Sequence, residues 1–411
     1  MRVSATTQAI GYSGSIPHGR RRFLPGFALL TAGLAGAVEF GPRWGDGSAP
    51  SRPMRALSDV GADIQAETVS MPSVVSQPLP SQAVVTHSAK LRQDWAAFRH
   101  LYVTPEGRVI DTGNGNASHS EGQGWGMMAA QAADDHDTFK MLHDWTSQNL
   151  QRRPYDHLHA WRYKPTDANP VADLNNAVDG DLFIAAALAR AAVRWNRPDY
   201  AEKAAKIGHD ILGLVRTAGA RTILLPGATG FEKGDCYIVN PSYYAFALFN
   251  DLAPLVPSRS WSLLRQDGTA LILQGRYGKW MLPPDWVRVD RSNGALSIAP
   301  GWPPRFSWDA IRVPLHVAWG QVPAAPLTES FRQYWAGSPG NPPAWADLRT
   351  GEVAPYAAPA GMRAVAAAAL KSNAADATRA MPSVIAASDY YGAGLVLLSR
   401  LATEEIFASV A

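Results

Sequence analysis

From Ser88 to the C-terminal region, apolar residues return every three or four positions in one segment after another. Trp95, Phe98 and Leu101 or Tyr102 form one stripe. Phe139, Leu142, Trp145 and Leu150 form a second, and Leu182, Ala185, Leu188 and Ala192 a third. This period belongs to α-helices with a buried face. The same spacing predicts further helices over 201–216, 242–252, 258–274, 309–320, 329–335, 361–371 and 392–401, separated by loops dense in Gly, Pro, Asn and Asp. Alternation of the strand type is scarce, and Arg221 to Leu225 is its best candidate. Serial helices over roughly 320 residues have to bury many stripes at once, which favours an all-α toroid or layered array over a simple bundle. Periodicity does not choose between those two.

Composition supplies the material for one large core. The chain has 411 residues, 46% of them hydrophobic and 18% charged. Its net charge of +3 owes much to Arg20-Arg21-Arg22, so no basic nucleic-acid surface is implied. A single cysteine, Cys236, excludes an internal disulfide and reads as a packing residue. Fourteen tryptophans suit carbohydrate stacking, although most tryptophans fill cores.

Arg20-Arg21-Arg22-Phe23-Leu24 precedes an apolar run from Phe27 to Val38, and Ala35-Gly36-Ala37 supplies small residues for cleavage. Residues 1–37 therefore read as a signal peptide, with twin-arginine and general secretory export equally compatible. The run is too short to span a bilayer, so an exported protein without a stable membrane span is expected, periplasmic or secreted. Residues 38–87, rich in Pro, Ser, Ala and Gly, read as a linker, and 88–405 as a catalytic domain.

Three segments carry the candidate chemistry. Ser120-Glu121-Gly122-Gln123-Gly124-Trp125 places an acid in a first helical turn with Ser120 as its expected cap. An acid there more often only complements the helix dipole, which also favours its ionised form. A general acid needs burial and a second carboxylate to reverse that preference. Asn175-Asn176-Ala177-Val178-Asp179-Gly180-Asp181, with Asp173 nearby, supplies such carboxylates, and its polar density exceeds what a cap needs. It lacks the further acids of a Ca²⁺ loop. Trp308-Asp309-Ala310-Ile311-Arg312-Val313-Pro314 opens another helix, because Pro314 is tolerated only near a start. Asp309 and Arg312 then share a face, as a surface ion pair or as a site. His157 and His159 lie in a loop without an H-E-x-x-H pattern, so no metal is expected. No G-x-S-x-G elbow, phosphate loop or dinucleotide fingerprint occurs.

Taken in order, these segments resemble the three motifs of glycoside hydrolase family 8, and the likeness runs from about Leu91 to Leu401. The resemblance includes Leu158 to Trp161, Asn240 to Tyr243 and Tyr390-Tyr391, and is greatest to the endoglucanases that accompany bacterial cellulose synthase. It implies an (α/α)₆ barrel with a long cleft and inverting hydrolysis of internal β-1,4-glucan bonds, with no cofactor or metal. Glu121 is implied as general acid, Asp309 as general base and Asp179 as the carboxylate that binds the sugar at the cleavage point. Gln123, Trp125, Trp161, Asp181, Tyr243, Arg312 and Tyr390 are expected to contact substrate. The implied partner is a β-1,4-glucan, with a functional link to a cellulose synthase complex. Val178 departs from the family's usual Ser or Thr, and Trp125 and Trp308 from positions where Tyr is common. Chitosan, xylan or mixed-linkage glucan are alternative polymers. A non-catalytic glucan-binding protein and a polysaccharide lyase are alternatives of other classes.

Overall fold

The computed structural model describes residues 87–337 and 342–408. The expected signal peptide and linker lie outside these residues, apart from His87. Twelve α-helices occur among the described residues: α1 (Ala89–Tyr102), α2 (Ser120–Ala132), α3 (His136–Asn149), α4 (Val178–Arg194), α5 (Pro198–Leu212), α6 (Phe246–Leu252), α7 (Arg259–Gln274), α8 (Arg312–Trp319), α9 (Ala325–Ala336), α10 (Ala360–Leu370), α11 (Ala374–Ala380) and α12 (Tyr390–Ala408).

Packing divides them by parity. α2 packs on α4, α4 on α6, α6 on α8, α8 on α10, α10 on α12, and α12 against α2. The odd-numbered helices lie against these, α3 on α2, α5 on α4 and α6, α7 on α6, and α9 on α8 and α10. Sequence accounts for the division. α4 is buried at nearly every position from Val178 to Ala192, and α12 from Gly392 to Thr403. Helices apolar all round belong inside. α5 buries only the stripe Tyr200, Ala201, Ala204, Ile207, Gly208 and Ile211, and stays polar on its other face. The Ala-rich sequences of α4 and α10 keep the inner helices thin enough to approach closely. A buried ion pair, Arg400 with Asp94, ties α12 to α1.

Nine short strands occur among the described residues: β1 (Ser118–His119), β2 (Arg162–Tyr163), β3 (Val215–Ala218), β4 (Arg221–Leu224), β5 (Cys236–Val239), β6 (Val287–Asp290), β7 (Leu296–Ile298), β8 (Arg305–Phe306) and β9 (Ala346–Asp347). β4 is the strand expected from sequence, and it pairs with β3. The antiparallel sheet β5-β6-β7 was not expected. Its signals were the alternation in Val287-Arg288-Val289-Asp290 and the Asn293-Gly294 turn, where Gly294 takes φ +72°.

Two helix expectations change. The segment 242–252 is not one helix: a 3₁₀ turn, Pro241–Tyr243, precedes α6. The break falls at Tyr244, whose buried hydroxyl accepts a hydrogen bond from Leu224 N at 3.2 Å, turning the chain toward β4. α8 begins at Arg312, so Asp309 sits in the turn before it rather than within the helix. Among the described residues no helix is long and apolar enough to cross a membrane.

Candidate active site

The first turns of α2 and α4 meet in tight contact, and glycine makes it possible. A Cβ on Gly180 would lie 2.2 Å from Ser120 Oγ and 2.7 Å from Glu121 N. A Cβ on Gly124 would lie 2.6 Å from Phe183 Cβ. Both distances are impossible for real side chains, so these glycines let two helix N-termini touch. Glu121 and Asp179 are thereby brought face to face. Ser120 does not cap α2: it is the first helical residue, and its buried hydroxyl has no hydrogen-bond partner. The residues that do precede α2, α4 and α8 (His119, Ala177 and Ile311) provide no side-chain cap either.

One guanidinium organises the acids. Arg312, 4% exposed, contacts the Glu121 carboxylate with Nη1. Its Nη2 donates to Asp309 Oδ1 at 2.7 Å and to Ser242 Oγ at 2.9 Å, and lies 3.6 Å from Asp179 Oδ2. Three carboxylates from three segments thus share one permanent positive charge. Glu121 is the most open of the three, with 18% of its side chain accessible, against 6% for Asp179 and 11% for Asp309.

Such a cluster cannot ionise fully in a low dielectric. Burial pushes the Glu121 carboxyl well above its ordinary value; Arg312 opposes this, and Asp179 adds to it both by charge and by a shared hydrogen bond. Burial also raises Asp179, against Arg312 and against hydrogen bonds from Glu121 and Gly180 N. The shared bond therefore has a direction: protonated Glu121 donates to ionised Asp179. Asp309 is raised by burial, lowered by Arg312, raised again by Asp179, and lowered by the Asn240 amide. The dipole of α2, which alone would hold Glu121 ionised, is outweighed by desolvation and its acidic neighbours.

The other expected site residues divide into two groups. Tyr243 borders the acids: its ring lies 5.7 Å from the Arg312 guanidinium, and burial, then Asp179 and Asp309, push its hydroxyl well above the ordinary value. Trp161 stands beside the β1–β2 ribbon, between the His119 ring at 6.0 Å and the Arg162 guanidinium at 4.2 Å, with Nε1 donating to Asp173 at 2.8 Å. Tyr390 places its hydroxyl against Gly122 with no hydrogen-bond partner, while its ring stacks on Trp125.

Gln123, Trp125 and Asp181 were expected to contact substrate and are instead enclosed, each 0% exposed. Gln123 accepts from Val109 N at 2.5 Å and donates to Thr146 Oγ1 at 2.7 Å and Gly107 O at 3.1 Å, anchoring the 107–109 loop. Trp125 packs among Phe183, Tyr390 and Tyr391 and against Gly394. Asp181 accepts from His159 N and Nδ1, each at 2.9 Å, and from Asn176 Nδ2 at 2.9 Å. Helical spacing explains the correction. Successive residues of a first turn point to different sides, and in α2 and α4 it is the Glu121 and Asp179 side chains that reach Arg312.

Two neighbours of the acids had no expected role. Tyr391 donates to Trp308 O and bears on Arg312, Glu121 and Asp309. Asp285, 9% exposed, lies beside Asp309. Its only sequence signal was an acid behind Pro283-Pro284 and before Trp286, which specifies nothing alone. Among the described residues no group of three or more His, Cys, Asp or Glu is placed to hold a metal.

The family model for glycosyl hydrolases family 8 matches residues 69–405. A probable endoglucanase of Novacetimonas hansenii is 46% identical over 76% of this chain and 91% of its own length. An endoglucanase of Cellulomonas uda is 39% identical over 66% of this chain and 75% of its own length. The solved structure of the endo-β-1,4-glucanase CMCax from Acetobacter xylinum superposes with a TM-score of 0.73 at 45% identity, covering 77% of this chain and 98% of that one. Three acids on one arginine at the meeting of two inner helices, and a match across nearly all of the helical domain, lead to one assignment: this chain belongs to glycosyl hydrolases family 8.

Proposed function

We propose that the protein is an endo-β-1,4-glucanase that cleaves with inversion at the Glu121–Asp179–Asp309 cluster. The observation that carries the reading is the asymmetry of that cluster. Three buried carboxylates share Arg312, and the one most strongly driven to keep its proton, Glu121, is also the most open. The endoglucanase relatives at 46% and 39% identity supply the substrate class.

The chemistry follows from the charge states. Glu121, held protonated, donates its proton to the leaving glycosidic oxygen as the bond to the anomeric carbon breaks. Asp309, whose ionised form Arg312 supports against the upward push of burial, takes a proton from a water attacking the opposite face of that carbon. Asp179 accepts the Glu121 hydrogen bond at rest and sugar hydroxyls once substrate enters. Inversion requires room for that water, about 6.5–9.5 Å between the acid and base carboxyls. Arg312 stays charged throughout and limits the repulsion that would otherwise protonate Asp309 as well.

Tyr243, Trp161 and the Tyr390–Tyr391 pair form the aromatic walls of this reading, with Arg312 as the polar anchor. The cyclic order of even-numbered helices, α12 returning to α2, supports an (α/α)₆ barrel with the acids at its mouth. The basic, apolar and small-residue stretches of residues 1–37 support export to the periplasm or beyond, ahead of a linker. Resemblance to the endoglucanases that accompany cellulose synthase supports a role beside that complex.

Glu121→Gln removes the transferable proton and preserves shape. It is expected to lower kcat on β-1,4-glucan by at least about 100-fold while the circular dichroism spectrum is unchanged. Wild-type turnover by this variant would remove Glu121 from the acid role.

A further inference from the structure

Asp285 is a fourth buried carboxylate at the site, and the chemistry above does not use it. It lies on the loop before β6, away in sequence from every motif. Its own N–H donates to Arg305 O at 2.8 Å, joining that loop to β8. Its Oδ1 accepts from Ser307 N at 3.0 Å and from Ala310 N at 2.8 Å, and its Oδ2 accepts from Ser307 Oγ. All three donors belong to the short turn that carries Asp309. That turn precedes α8, which begins at Arg312, and its own backbone bonds are few, among them Ile311 N to Ser307 O and Arg312 N to Asp309 O, each at 3.0 Å.

We propose that Asp285 is the positioning residue for the base: its carboxyl group fixes the 307–310 turn that carries Asp309. This inference rests on Asp309 being the base. The geometry favours it over a plain structural clamp. A carboxylate with two backbone donors and a hydroxyl is served well as an anion, yet it stands beside another carboxylate. Burial, then the Asp309 charge, push Asp285 up to about 7, against the three hydrogen bonds from the turn. What the three bonds fix is the turn that carries Asp309, and below about pH 7 Asp285 is mostly protonated, so it holds that turn without adding a second negative charge beside the base.

The ionisable groups bearing on Asp309 and Asp285 are Arg312 on α8, Asp179 on α4, Glu121 on α2 and Tyr391 on α12. All of them remain in place when Asp285 alone is changed, so a difference between variants at that position reports on the hold on the turn.

Two variants separate shape from charge. In Asp285→Asn the amide oxygen can take both backbone donors while Ser307 Oγ turns to accept from the new amide, so the turn is held and the charge is lost. Asp285→Ala removes both. Steady-state kinetics on cellopentaose across pH should show kcat lower by about 10- to 100-fold in Asp285→Ala with KM within about threefold. Asp285→Asn should keep most of kcat, with the acid limb of its kcat/KM profile in place, because the amide still holds the turn and little charge stood there at acid pH. Unchanged kcat in Asp285→Ala with only a lower melting temperature, or a loss in Asp285→Asn as large as in Asp285→Ala, would overturn the proposal. Asp309→Asn is run alongside: near wild-type activity there would overturn the base assignment itself, whatever the Asp285 variants do.

Discussion

At the scale of single residues the site is an exercise in holding too many acids together. Glu121, Asp179 and Asp309 surround Arg312, and one positive charge cannot compensate three negative ones in a buried cleft. The deficit is met by retaining a proton, and burial with the Asp179 contact assigns that proton to Glu121. A pH prediction follows from the directions. Glu121 is raised, so it stays protonated, and competent as an acid, to higher pH than an ordinary glutamate. Asp309 is also raised, so its base form is lost on acidification at higher pH than for an ordinary aspartate. Both limbs of the kcat/KM bell should therefore lie above the usual carboxylate range near pH 4. A steady-state pH profile checks this, and an acid limb at or below pH 4 would contradict it. These residues were legible in the sequence because Glu121, Asp179, Asp309 and Arg312 sit in short ordered motifs. Gln123, Trp125 and Asp181 stand enclosed beside them for a physical reason. They share those motifs but point to the other faces of α2 and α4, where they fasten loops and fill the core. Asp285 was invisible because hydrogen bonds to Ser307 and Ala310 define it, and no local pattern records them.

At the scale of elements, the site exists because α2 and α4 meet at their first turns. Gly180 is the contact point, lying where a Cβ would enter Ser120 Oγ and the Glu121 backbone. Gly180→Ala should force the two helices apart, at a cost of about 1–3 kcal/mol in stability. It should lower kcat beyond what that instability explains, because Glu121 moves away from Asp179. Denaturant unfolding and kinetics on one preparation separate the two effects, and unaltered kcat in a destabilised variant would show that the approach matters only for packing. The helices themselves were read well from periodicity, with α5, α7, α8, α10 and α12 near their expected places. What periodicity missed were features set by tertiary contact. Tyr244 breaks the segment 242–252 by reaching Leu224, and β5, β6 and β7 find one another across the loops.

At the scale of the whole molecule, parity of burial governs the architecture. Even-numbered helices pack in sequence from α2 to α12, with α4 and α12 buried on nearly all sides, while odd-numbered helices such as the amphipathic α5 lie against them. That arrangement delivers α2, α4 and the turn before α8 to a common place although they are far apart in the chain. Helical content and its amphipathic character were evident from sequence; the order of neighbours was not, since stripes do not name their partners. The central claim is that this arrangement performs single-displacement hydrolysis of an internal β-1,4-glucosidic bond, with Glu121 as acid and Asp309 as base. Proton NMR of the first products from cellopentaose tests it most directly. The account predicts that the new reducing ends appear first as the α-anomer and arise at internal linkages. New reducing ends appearing first as the β-anomer would contradict it.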